Sequence, residues 1–264
     1  MTAPIPRDIP DLPAVPRNAP ILLPSAVPAT AVMTPVRHPL TAAYRLLVAL
    51  LAAAAVTVEL LVGAPLRMLS YFSIQTGILL AVVMALSAQR AWAARRPLPS
   101  GVTGATLLYV TVGALVYHLL LDHSTPPFSM TDATRLPAPW HGQWTLLQVL
   151  HVALPLAALA DWLLLTPPGR LHLRQAASWL LYPLAYLAFC LTRAELLAPG
   201  TPGRVLYPFL NAPDHGYRGV LANALLVGLA IYGLAVLLVA LDHLRPNPVR
   251  RRAKTGFRLR PPVG

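Results

Sequence analysis

After an opening rich in proline, apolar residues run in six long blocks with polar residues gathered between them. The blocks cover roughly 44–66, 69–89, 102–121, 144–165, 176–197 and 218–241. As helices at ~1.5 Å per residue each covers about 30 Å, the thickness of bilayer hydrocarbon, with the third near the short limit. The pattern predicts an all-α integral membrane protein, a bundle of six transmembrane helices over residues 44–243. Residues 1–43 read differently. Pro4, Pro6, Pro10, Pro13, Pro16, Pro20, Pro24, Pro28, Pro35 and Pro39 are spaced as no helix tolerates, and the segment has no apolar core of its own. It is expected to be a disordered tail. Asp8 and Asp11, with the prolines, rule out a secretory signal.

Composition agrees with the block pattern. Hydrophobic residues make up 56%, charged residues only 11%, and mean hydropathy is +0.59. Soluble domains carry about 25% charged residues. The formal charge is +12, almost all of it from arginine, with Lys254 the only lysine. These residues sit in short loops and in a basic C-terminal tail, 244–264. There they set orientation and meet anionic headgroups, so no nucleic-acid partner is expected. Sixteen basic residues lie on the side of the two chain ends and five on the other. By the positive-inside rule both termini are cytoplasmic, and the 122–143 and 198–217 loops face outward. Cys190 is the sole cysteine, which excludes an internal disulfide or a thiolate metal cluster. The first and last three blocks show no repeat, which argues against an inverted-repeat transporter.

That topology puts one layer of polar residues within about 10 Å of the outer boundary, judged by helical rise. It holds Glu59, Ser73, Tyr117, His118, His151, Arg193, Glu195 and Asn223, whereas Asp161 is the main ionisable residue of the inner half. Ionisable groups inside a membrane are functional candidates. Arg193 and Glu195 are at the end of their block and can reach the interface; Ser73 and His151 are too short to snorkel. Ser73, Gly77, Ala81 and Ala85 recur every fourth residue as a small-residue stripe, which aims Ser73 into the bundle. Trp144, Gln148, His151 and Pro155 share one helical face. The competing accounts are a serine bonded to its own backbone and a histidine making a structural interhelix bond.

The segments Tyr71-Phe72-Ser73-Ile74-Gln75-Thr76, Leu147 to Pro155, Tyr207-Pro208-Phe209-Leu210, Trp179 to Tyr186 and Asp161-Trp162 resemble the Pr6Pr group of bacterial six-span membrane proteins. The resemblance covers about residues 44–243. That group is similar, more distantly, to the androgen-induced-protein family of multi-span hydrolases, which cleave fatty-acid esters of hydroxy fatty acids with an intramembrane threonine and a histidine. The resemblance implies that Ser73 takes the nucleophile position, serine replacing threonine, and that His151 is the histidine. Gly77 and Gln148 stand where relatives carry asparagine.

The depth pattern and the resemblance meet on the same pair. A neutral histidine at hydrogen-bond distance can take the proton of a hydroxyl, and the oxyanion that follows needs donors. Gln75, Gln148, Asn223 and Tyr207 are the candidate donors, and Glu59 completes the substrate-binding set. The expected ligand is a membrane lipid or lipid-like ester, with no cofactor and no metal. Two other readings stay open: a lipid-binding or transport protein using the same pocket, and a single-haem protein ligated by His118 and His151. His123 and His141 lack a metal-ligand spacing. No phosphate-binding loop, H-E-x-x-H or G-x-S-x-G motif is present.

Overall fold

The computed structural model of the protein describes residues 37–121, 130, 141–198, 200–201 and 203–246, and every element among them is a helix. Residues 1–36 and 247–264, most of the two predicted tails 1–43 and 244–264, and most of the 122–143 loop lie outside the described residues. Among the described residues five helices are long and apolar enough to cross a membrane, as expected of an all-α membrane protein.

The first of these, α1 (Pro39–Val62), starts five residues before its apolar block. Pro39 occupies a first-turn position, where a missing N–H leaves nothing unpaired. Residues 39–43, assigned to the tail on proline density, are therefore helical. The helix stops at Gly63, whose N–H returns to the Glu59 carbonyl at 2.9 Å. A Cβ on Gly63 would lie 2.7 Å from the Met68 side chain, so at the corner into α2 (Pro65–Met68) a larger residue would have to displace Met68.

Helix α3 (Phe72–Trp92) then runs back along α1 in the most extensive pairing of the bundle. The buried face of α1 is built from Ala42, Ala49, Ala52 and Ala55 with Val48 and Val56. On α3, Gly77 allows the approach: a Cβ there would lie 3.0 Å from Val56. The stripe of small residues does not form the whole seam, because Ala85 is exposed and the buried positions shift to Leu80, Met84 and Ala88. At the far end the His38 N–H bonds the Ala91 carbonyl at 3.2 Å.

Helix α4 (Ser100–Val116) is prolonged by a π turn, Tyr117–Leu121. Helix α5 is a composite of α segments His141–Gln148 and Leu154–Ala160 with π turns Val149–Ala153 and Asp161–Leu165.

The fifth apolar block forms two helices, α6 (Leu173–Trp179) and α7 (Leu181–Leu196). Proline explains the break: Pro183 has no N–H for the Trp179 carbonyl four residues back. The Tyr109 hydroxyl supplies that bond instead, at 2.8 Å. With sixteen residues, α7 covers about 24 Å, less than the hydrocarbon thickness. Helix α6 seats against α4 at Gly104, where a Cβ would lie 2.6 Å from the Trp179 ring, and Trp179 Nε1 donates to the Gly101 carbonyl. A short 3₁₀ turn, Pro208–Leu210, leads to α8 (Ala212–Leu244), which is kinked at Gly216 by a φ of 65°.

A polar clasp closes the end of the bundle from which both tails leave. Arg45 holds Asp161 at 2.7 and 3.2 Å, and Thr166 joins the pair. The ionisable residue of the inner half thus has its partner in a residue that the block pattern left as a flank. Asp242, 1% exposed, accepts from the Arg170 and Leu171 amides at 2.7 and 2.9 Å. Arg245 pairs with Asp242, caps the Leu163 and Thr166 carbonyls, and lies over the Trp162 ring.

Two substitutions test this frame. Arg45→Gln leaves Asp161 buried without its cation and is expected to destabilise the protein by about 3 kcal/mol, read as a lower Tm in detergent. Gly104→Val forces a side chain into Trp179 and should destabilise by about 1–3 kcal/mol in the same assay.

Candidate functional site

Helix breaks place the candidate chemistry. Pro155 leaves the His151 carbonyl without its usual amide, and the chain responds with a π turn in which the Leu154 N–H reaches Val149. His151 lies within that turn, 4% exposed. Its Nδ1 is 3.0 Å from the Leu147 carbonyl. A carbonyl only accepts, so Nδ1 carries the proton and the neutral ring keeps its lone pair on Nε2. Tyr117, on the π turn of α4, stacks on the imidazole with centroids 4.2 Å apart.

Ser73 comes from the other side of the bundle. Because α3 starts at Phe72, Ser73 is its second residue and not a full turn inside. Its N–H and that of Ile74 belong to the first turn, where no carbonyl precedes them in the helix. Aromatic packing holds this end in place. The Phe72 N–H donates to the Tyr207 hydroxyl at 3.3 Å, Tyr186 donates to the Ser70 carbonyl at 2.9 Å, and the Phe72 ring meets Tyr109, Tyr182 and Tyr186.

Ser73, His151 and Tyr207 line one cavity of about 560 Å³. Its other walls are apolar or aromatic, drawn from α3, α4, α7, the 3₁₀ turn and α8, and among the described residues no charged side chain lines it. The cavity lies toward the start of α3 and α8 and the end of α4, away from the polar clasp. Its floor is closed, with Phe72, His151, Tyr207 and Leu210 all buried. One side is open: Leu184 on α7 and Leu221, Leu225 and Leu229 on α8 line the cavity and are also exposed. Helices α7 and α8 make little contact with one another there.

The remaining candidates do other work. Gln75 bonds the Leu69 carbonyl and accepts from Tyr182, which ties α7 to the start of α3. Asn223 donates to the Phe209 carbonyl and anchors the 3₁₀ turn. Gln148 is half-buried and Glu59 is 2% exposed, with its Oε1 unpartnered; neither lines the cavity. Ser73 and His151 are not hydrogen-bonded to each other. The Ser73 hydroxyl donates to Met130 Sδ at 3.7 Å. Residue spacing did not single out Met130 or the amides of Ser73 and Ile74. The helix start that puts those amides in its first turn was read three residues too early, at 69. Of the two histidines considered for haem, His151 lines the cavity and His118 does not. Among the described residues no group of three His, Cys, Asp or Glu could hold a metal ion.

No protein-family model, curated protein or solved structure matches this chain.

The tie between Tyr207 and the start of α3 is open to a direct check. Tyr207→Phe removes the acceptor of the Phe72 amide and should destabilise by about 1 kcal/mol. Hydrogen exchange should quicken at residues 72–75 and stay unchanged at 80–90.

Proposed function

We propose that the chain is a multi-pass protein of the cytoplasmic membrane that binds a lipid-like ester in this cavity and hydrolyses it, Ser73 acting as nucleophile and His151 as base. The observation that carries the reading is that a hydroxyl and an imidazole from separate helices face one apolar cavity with an open side. In this reading α6 and α7 together make the sixth crossing, both termini are cytoplasmic, and the cavity lies in the outer half. The resemblance to Pr6Pr proteins, and through them to intramembrane ester hydrolases, agrees with it.

The chemistry follows from the groups present. Ser73 Oγ attacks the ester carbonyl carbon as its proton passes to His151 Nε2. The carbonyl oxygen becomes an oxyanion, and the Ser73 amide, in the first turn at the positive end of α3, is suited to hold it. The ester C–O bond then breaks, and the leaving alkoxide takes the proton from His151. Water attacks the acyl-serine, giving its proton to His151, and the acid departs as Ser73 recovers its hydrogen. Ser73 must turn from Met130 toward Nε2 for the first step.

A second reading, lipid binding without turnover, is favoured by that same serine–methionine contact, which leaves the hydroxyl unactivated. Fluorophosphonate labelling of the protein in lipid nanodiscs separates the two. Hydrolysis predicts a labelled chain whose signal disappears in Ser73→Ala, and lipid-ester turnover about a hundredfold or more lower in both Ser73→Ala and His151→Ala. Unlabelled folded protein, with turnover unchanged in both variants, would leave the binding reading alone.

A further inference from the structure

The open side of the cavity bears on what can enter it. Along the open side of the cavity the exposed residues of α7 and α8 are apolar, among them Leu181, Leu184, Leu221, Leu225 and Leu229, while the exposed Glu195, Arg218 and His243 lie near the helix ends. In a bilayer that side faces acyl chains, not water. Among the described residues the lining carries no charge, which suits an inserted group that is hydrocarbon or ester. At ~30 Å³ for a group the size of a water molecule or methylene, the 560 Å³ holds on the order of twenty such groups, which is one long chain. Its lining on α8 runs from Leu221 to Tyr232, about 16 Å by helical rise. At the deep end it is bounded by Leu180, Ile231 and Tyr232.

Within this lining Gly228 is unusual. It faces the cavity, and a Cβ built on it meets nothing within 4 Å. Close helix packing, the common reason for glycine in a membrane helix, does not apply here. What the glycine preserves is empty length along the path of a chain.

Resting on the reading of this cavity as a lipid-ester site, we infer that one acyl chain enters sideways between α7 and α8, and that Gly228 sets how long a chain is accepted. A larger side chain at 228 would divide the cavity between Leu225 and Tyr232. The end near Ser73 and His151 would stay open and the deep end would be closed. Gly233, five residues on, is also open within 4 Å but does not line the cavity, so it provides a matched control.

The test uses the full chain in phosphatidylcholine nanodiscs doped with fatty-acid methyl esters of increasing length, each with a terminal diazirine. After irradiation, adducts are mapped by mass spectrometry. The expected result is adducts concentrated on cavity residues of α7 and α8. Gly228→Phe should reduce those from the longest chain about tenfold or more and keep those from the shortest. Gly228→Val should be intermediate, and Gly233→Phe should match the parent. A length profile unchanged in Gly228→Phe would overturn the inference. So would adducts spread evenly over the outer faces of α1 and α8, which mark ordinary surrounding lipid. Thermal unfolding of each variant identifies loss of fold, and in that event Gly228→Val decides. Turnover is measured separately on the parent and the Gly228 variants, and the dependence of adducts on chain length is compared within each variant, so failure of the hydrolase reading and failure of chain-length selection are read separately.

Discussion

Backbone hydrogen bonding in hydrocarbon is the constraint on which this structure turns. An amide or carbonyl left unpaired there has no water to bond, so every interruption of a helix needs a partner brought from elsewhere. The chain carries such interruptions at Pro155 and Pro183, and the repairs shape the bundle. At Pro183 the repair is a tyrosine hydroxyl from α4 placed on the Trp179 carbonyl. At Pro155 it is a π turn, and that turn carries His151 into the cavity. Tyr44 on the Ala157 carbonyl and Tyr186 on the Ser70 carbonyl add two more phenol-to-backbone links. Tyrosine suits the task because its ring packs as a hydrophobe while its hydroxyl satisfies one polar atom.

These repairs divide the molecule into a firm part and an open part. The alanine-lined pairing of α1 with α3, and the clasp of Arg45, Asp161, Asp242 and Arg245, tie α1, α3, α5 and α8 together at one end of the bundle. At the opposite end α7 is held mainly through its aromatic side chains, and α8 turns much of its surface outward. The cavity lies between the two parts. Ser73 and His151 stand on the firm side, and the entrance is formed by the looser helices. Groups that must keep a set geometry thus sit on well-packed elements, and the exchangeable volume borders mobile hydrocarbon.

Much of the fold was legible in the pattern of apolar blocks, because length and hydrophobicity are what a bilayer demands of a helix. Five blocks became spanning helices within a few residues of the expected limits. The block at 176–197 was continuous in hydropathy but not in hydrogen bonding, and Pro183 within it was the visible sign. Depth counting brought Ser73 and His151 to one level, and both line the cavity. Gln75 and Asn223, candidate donors, bond the Leu69 and Phe209 carbonyls, and which carbonyl an amide meets depends on tertiary neighbours that no spacing reveals. Arg45 looked like a charged flank because its partner is 116 residues away. The amides at the start of α3 were hidden for a simpler reason: hydropathy marks where a chain is apolar, not where its helix begins.

An opening toward lipid has a thermodynamic side. A chain moving from the leaflet into this cavity leaves one oily surrounding for another, so transfer from water contributes almost nothing to occupancy. Discrimination must come from the few polar atoms at Ser73, His151 and Tyr207 and from steric fit. The relevant scale is mole fraction in the leaflet, not molar concentration in solution. In the proposed reading, a site supplied at such density can release its product quickly and still remain filled.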